Sequence, residues 1–106
     1  MWAGIYPANF QIHNASAMSR VEIYTKRWCG FCHMAKALLA RAGVSFEEHD
    51  VTSDPGREQE MNVRSGRCTV PQIFIDGQSV GGYAELRALQ AAGKLALPGE
   101  NDSTPG

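Results

Sequence analysis

Short β-branched and aromatic runs along this chain give way repeatedly to apolar stripes of helical period, and each switch marks an element. Val21-Glu22-Ile23-Tyr24-Thr25 is a β-branched and aromatic run, which predicts a first strand. From Gly30 to Ala42, apolar residues recur at Phe31, Ala35, Leu38 and Ala42, with Leu39 beside them. That is the stripe of an amphipathic helix, and Gly43 is its stop. Strand character returns from Val44 to Val51, around Phe46. Asp54-Pro55 offers an N-cap followed by a first-turn proline, opening a helix to about Ser65 that Gly66 ends. Gln72-Ile73-Phe74-Ile75 is a third strand, Asp76-Gly77 a two-residue hairpin signal, and Gln78 to Val80 the return strand, broken by Gly81-Gly82. Tyr83 to Ala92 reads as a last helix, with Leu86 and Leu89 inward and Gly93 as its stop.

The order is therefore β-α-β-α-β-β-α. A helical crossover joins parallel strands, whereas the two-residue hairpin joins antiparallel ones. The expected fold class is α/β: a mixed four-stranded sheet flanked by three helices lying on both faces. Met34 and Leu38 are expected to pack, and Tyr24 to sit in the sheet.

With 106 residues, 43% of them hydrophobic and 20% charged, the chain is expected to form one ordinary globular domain. Residues 1–19 contain no Asp, Glu, Lys or Arg. They lack the basic start of a signal peptide and the arginines of a transit peptide, so a disordered leader is expected, with Met18 a candidate start. The domain is expected over 20–97, and the turn-forming stretch 98–106 as a flexible tail. A net charge of -1 provides no field to attract nucleic acid, and no apolar run is long enough to span a membrane. Neither is an expected partner. The chain itself is expected to be a cytoplasmic monomer.

The chemistry lies in the cysteines. There are three, Cys29, Cys32 and Cys68, too few and too odd a number for a secreted disulfide framework. Two form a Cys-x-x-Cys, which reads as redox or metal chemistry. Structural zinc would want a second such pair. Cys68 alone, even with His33 or His49, is a poor substitute, and no metal site is expected. A strand ending at Thr25 and a helix starting at Gly30 place Cys29 at the helix N-terminus. Free N–H groups and the helix dipole there favour negative charge on sulfur, and Lys26 and Arg27 add positive charge. The thiolate is the nucleophile of disulfide exchange. Cys32, one turn further in, shares the face but should be more buried. Cys29 is thus the expected attacking sulfur and Cys32 the resolving one. A second signal is Thr69-Val70-Pro71: a proline before a strand can be cis, and a cis bond would aim the Val70 backbone outward to pair with an extended peptide. Cys68 should lie near this face as a bystander, His33 should be an exposed helix histidine, and Trp28 should border Cys29.

The stretches VEIYTK, CGFC, AKALL, SGRCTVPQIFIDG and GGY, spread in this order over about Val21 to Leu97, resemble the glutaredoxins, especially the bacterial glutaredoxin 3 type. The resemblance implies a thioredoxin fold with the CxxC at a helix start facing a cis proline. It implies a glutathione-dependent oxidoreductase that reduces protein–glutathione mixed disulfides and protein disulfides, with glutathione as co-substrate. Lys26 would pair with a glutathione carboxylate. Phe31, where the family usually has Tyr, would line the site with Thr69 and Pro71, and Val70 would pair its backbone with the cysteinyl part. Gly82, Tyr83 and Ala84 would approach the γ-glutamyl end. Two residues depart from the pattern. Ala84 stands where an aspartate is common, with Glu85 as a partial substitute, and Gly30 stands where proline is usual. A small residue there keeps open an alternative: a dimer sharing a [2Fe–2S] cluster, each subunit giving its first cysteine and two glutathiones completing the ligands.

Overall fold

A computed structural model of the chain describes residues 19–95. The expected leader, all but Ser19, and the expected tail lie outside the described residues. β1 (Val21–Thr25) lies at the middle of the arrangement, and all of its side chains are buried. It pairs in parallel with β2 (Glu47–Asp50) and antiparallel with β3 (Gln72–Ile75). β4 (Gln78–Gly81) returns antiparallel on β3, giving the sheet order β2-β1-β3-β4.

Two-residue alternation sends the side chains of β1 and β3 to two different cores. Val21, Ile23, Ile73 and Ile75 pack with Ala35, Leu38 and Leu39 of α1 (Gly30–Arg41) and Leu86 of α3 (Tyr83–Ala91). On the other face, Tyr24 and Phe74 pack with Val51 and with Met61 of α2 (Pro55–Ser65). This is the mixed four-stranded sheet with helices on both faces that the pattern predicts.

The helix ends follow local chemistry. Gly43, at a φ of 75°, donates its N–H to Ala40, and Val44 donates to Leu39, both at 3.0 Å. Helix closure therefore consumes the Val44 N–H. The strand expected from Val44 begins at Glu47 instead, while Val44 and Phe46 pack into the core from the connection. The N-cap Asp54 accepts the Arg57 N–H at 3.0 Å, and Gly66 ends α2 in the left-handed region.

Met34 corrects a second expectation. It is 47% exposed, because the inner face of α1 is set by Cys32, Ala35, Leu38 and Leu39, and Met34 projects to one side of it. Only Met61 of α2 is fully buried. The rest of that contact is polar: Arg64 donates to Glu22 at 3.0 Å and to the Tyr24 hydroxyl at 2.6 Å, with its guanidinium 4.1 Å from the Phe74 ring centre.

Candidate active site

β1, an inner strand, ends at Thr25, whose carbonyl takes the Val51 N–H at 2.9 Å. A tight connection follows. The Cys29 N–H donates to the Lys26 carbonyl at 3.3 Å, and the Arg27 N–H donates to the Thr52 hydroxyl at 2.9 Å. His33 reaches back from α1, its Nε2 3.0 Å from the Arg27 carbonyl, a contact that requires a proton on Nε2. Beyond the exposed position the sequence suggests, this histidine fastens the loop that carries the first cysteine.

Cys29 is the N-cap of α1. Its backbone is extended (φ -94°, ψ 110°), and its Sγ accepts the Cys32 N–H at 3.1 Å. A sulfur in this place takes the role of a capping oxygen and faces the positive end of the helix. Cys32 is fully buried. Burial, and next the hydrogen bond to the Cys29 sulfur, push its thiol up to about 12, so it retains its proton. The two sulfurs thus divide as expected, one accessible and one enclosed. No disulfide joins them here, and Cys68 is exposed.

Opposite Cys29 stands the turn before β3. The Val70–Pro71 peptide is cis, as the sequence suggested. The Val70 carbonyl lies 3.6 Å from Cys29 Sγ, and the Val70 N–H has no partner among the described residues. Two open clefts meet at this residue. One, of about 260 Å³, is lined by Phe31, Thr69, Val70, Pro71, Gly82, Tyr83, Ala84 and Glu85. The other, of about 350 Å³, is lined by Lys26, Trp28, Cys29, Thr52 and Val70. The residues singled out in the sequence are therefore brought together, apart from Cys32, which sits beneath them.

The glycine pair explains how α3 comes so close to Pro71. A Cβ on Gly82 would stand 3.3 Å from the Pro71 carbonyl, and one on Gly81, at a φ of 120°, would stand 2.8 Å from the Glu85 carboxylate. That carboxylate folds back to accept the Gly82 N–H at 2.8 Å, and this bond holds its pKa below the usual glutamate value. Glu85 is thus occupied in capping α3, and it does not stand free as a substitute for the missing acid at Ala84.

Two further residues escaped the sequence reading. Glu58 holds Lys26, its Oε2 2.8 Å from Nζ, and this hydrogen bond raises the lysine pKa. Gln72, fully buried, donates its amide to the Thr69 hydroxyl at 3.2 Å. Neither pairing carries a periodic or motif signal. Elsewhere Glu22, Glu47 and His49 place ligand-type atoms within 4.8 Å of one another. Their polar atoms are already engaged by Arg64, Arg20 and Arg57, whose positive charges take the place a cation would need.

The glutaredoxin family model matches residues 21–80. The chain is 55% identical to glutaredoxin 3 of Escherichia coli (strain K12) over 78 residues, covering 74% of this chain and 94% of that protein. The chain belongs to the glutaredoxin family. It is 46% identical to a glutaredoxin of Pseudomonas aeruginosa over 78 residues, covering 74% of this chain and 93% of that protein. The solution structure of the glutaredoxin from Brucella melitensis superimposes with a TM-score of 0.66 at 51% identity, covering 74% of this chain and 86% of that one. The activity of the chain is that of its family, glutathione-dependent thiol–disulfide exchange, on a thioredoxin fold.

Proposed function

We propose that the chain reduces protein–glutathione mixed disulfides and protein disulfides, with Cys29 attacking and Cys32 resolving. The observation that carries the reading is the position of Cys29 Sγ: capped by the Cys32 N–H and placed where two clefts meet at Val70. Glutathione in this site lies across Val70. Its cysteinyl backbone pairs with the Val70 N–H, and its glycyl carboxylate meets Lys26. Its γ-glutamyl carboxylate faces the first N–H groups of α3 at Tyr83 and Ala84, where the helix dipole favours an anion. Phe31 and Tyr83, with ring centres 5.8 Å apart, form the apolar wall on that side.

The chemistry follows from the two sulfurs. The Cys29 thiolate attacks one sulfur of a disulfide, forming a new S–S bond as the other sulfur departs as a thiolate and is protonated. If the bound partner is glutathione, a second glutathione attacks the adduct and leaves as glutathione disulfide, regenerating Cys29. If it is a protein, Cys32 loses its proton, attacks Cys29, and expels the protein thiol. The Cys29–Cys32 disulfide is then reduced by two glutathiones, which supply the two electrons. Timing is built in. Once Cys29 is a mixed disulfide its negative charge is gone, and with it the hydrogen bond and the repulsion that help hold the proton on Cys32.

One complete site per chain suits a monomer working where glutathione is kept reduced, and the cytoplasm is the compartment we assign. No helix among the described residues is long and apolar enough to cross a membrane. The cluster-bound dimer that Gly30 left open is not favoured by the comparisons. The test is a glutathione-coupled assay on two variants. Cys29→Ser should abolish both activities. Cys32→Ser should retain deglutathionylation and lose most reduction of protein disulfides. Substantial glutathione-dependent turnover by Cys29→Ser would overturn the assignment.

A further inference from the structure

We propose that Trp28 is a specificity-determining residue: its exposed indole receives the polypeptide that continues beyond the reacting cysteine of a protein substrate, favouring disulfides followed by an apolar side chain. The inference rests on the reading of the site above. Among the large hydrophobic side chains of the described residues, Trp28 is 84% exposed, against 73% for Val63, 59% for Phe31 and 47% for Met34. The indole contributes nothing to either core, and water would solvate a polar side chain better at this position. It stands directly before Cys29 and lines the cleft shared by Lys26, Thr52 and Val70.

Glutathione and a polypeptide differ on one side of the reacting sulfur. Any substrate must bring a sulfur to Cys29 Sγ beside the Val70 carbonyl, and an extended segment can pair with the Val70 N–H. On the side of Phe31 and Tyr83, glutathione and a polypeptide both present chain preceding the cysteine. On the side of Lys26, glutathione ends after a single glycine, in a carboxylate. A polypeptide does not end there. At roughly 3.3 Å per residue its next side chains pass Lys26 and reach the neighbouring indole. Tryptophan offers a large, rigid contact surface at low conformational cost and is enriched among residues that dominate protein interfaces. Lys26 and Arg27 are already paired with Glu58 and Asp50, so the indole face is what this position offers a partner, and an apolar side chain is its match.

The test uses disulfide-linked homodimers of a single-cysteine peptide, with either Phe or Ser at the second position after the cysteine, alongside a glutathionylated peptide. Wild type should show kcat/KM for the Phe peptide about tenfold above that for the Ser peptide, a factor within the range of a single buried aromatic contact. Trp28→Ser should bring that ratio close to one, and Trp28→Phe should restore most of it. Trp28 is mostly exposed, so neither variant should fail to fold. Equal losses on all three substrates would overturn the proposal, since the indole would then only shape Cys29. So would a wild type that treats the two dimers alike while processing the glutathionylated peptide. A wild type inert toward all three would overturn the glutathione reading, and this inference with it.

Discussion

Lys26 enters the proposed site already paired. Its ammonium sits 2.8 Å from Glu58, so the carboxylate of an arriving glutathione must compete with a side chain of the protein itself. Glu58→Gln removes the competitor and its charge. The Michaelis constant for a glutathionylated peptide should fall a few-fold, since an exposed pair contributes about 0.2–1 kcal/mol, while Lys26→Ala should raise it. A Michaelis constant that Glu58→Gln leaves unchanged would contradict the lysine contact. Ala84 poses the converse case. An aspartate there could accept from the ammonium of the γ-glutamyl group, a charge-assisted bond that alanine cannot make. Because Glu85 is held by the Gly82 N–H, it does not fill the gap, and Ala84→Asp should lower the same Michaelis constant by a similar factor. Weaker binding in Ala84→Asp would mean that the new carboxylate mainly repels the γ-glutamyl carboxylate, leaving the N–H groups of α3 as the whole of that subsite.

Among the elements, α2 is the one whose attachment to the sheet is mainly polar. Arg64 links it to Glu22, which is only 4% exposed, and His49 and Arg20 supply further partners. The hydrogen bond from Arg64 is the leading cause that holds the Glu22 carboxyl below its ordinary value of 4.5. A depressed carboxyl stabilises the folded state above its ordinary pKa, and that contribution disappears as the pH falls through the folded value. Arg64→Met keeps an apolar stem over Phe74 but leaves Glu22 short of a partner. It should cost about 1–3 kcal/mol at neutral pH, the penalty for an under-satisfied buried acceptor. In urea unfolding, the gap to wild type should narrow as the pH drops below the ordinary glutamate range. A gap that stayed constant would assign the loss to packing rather than charge. The same polarity explains why the stripe of α2 is faint in the sequence: one inward methionine among charged residues gives little period. β2 is similar, since Glu47-Glu48-His49-Asp50 shows no alternation, and pairing with β1 decides its limits.

For the molecule as a whole, the order of elements and the position of the Cys-x-x-Cys were legible because both depend on neighbours in the chain. A β-branched run, a glycine stop or a cysteine just before a helix can each be read within a few residues. Gly81 and Gly82 were legible as the break after β4, but the close approach of α3 to Pro71 that Gly82 permits was not. What the sequence did not disclose are pairings between distant charged or polar groups, such as Arg64 with Glu22, 42 residues apart, or Glu58 with Lys26. Long flexible side chains leave no periodic trace of the partner they find. The fold brings the residues of the proposed site together, with Cys29 as the accessible sulfur of the Cys-x-x-Cys pair, and the proposed chemistry rests on that sulfur. The direct test is to incubate Cys32→Ser with glutathione disulfide and map the product by mass spectrometry. One glutathione should be found on Cys29, and added reduced glutathione should release it. An adduct confined to Cys68, with Cys29 left as a free thiol, would contradict the account.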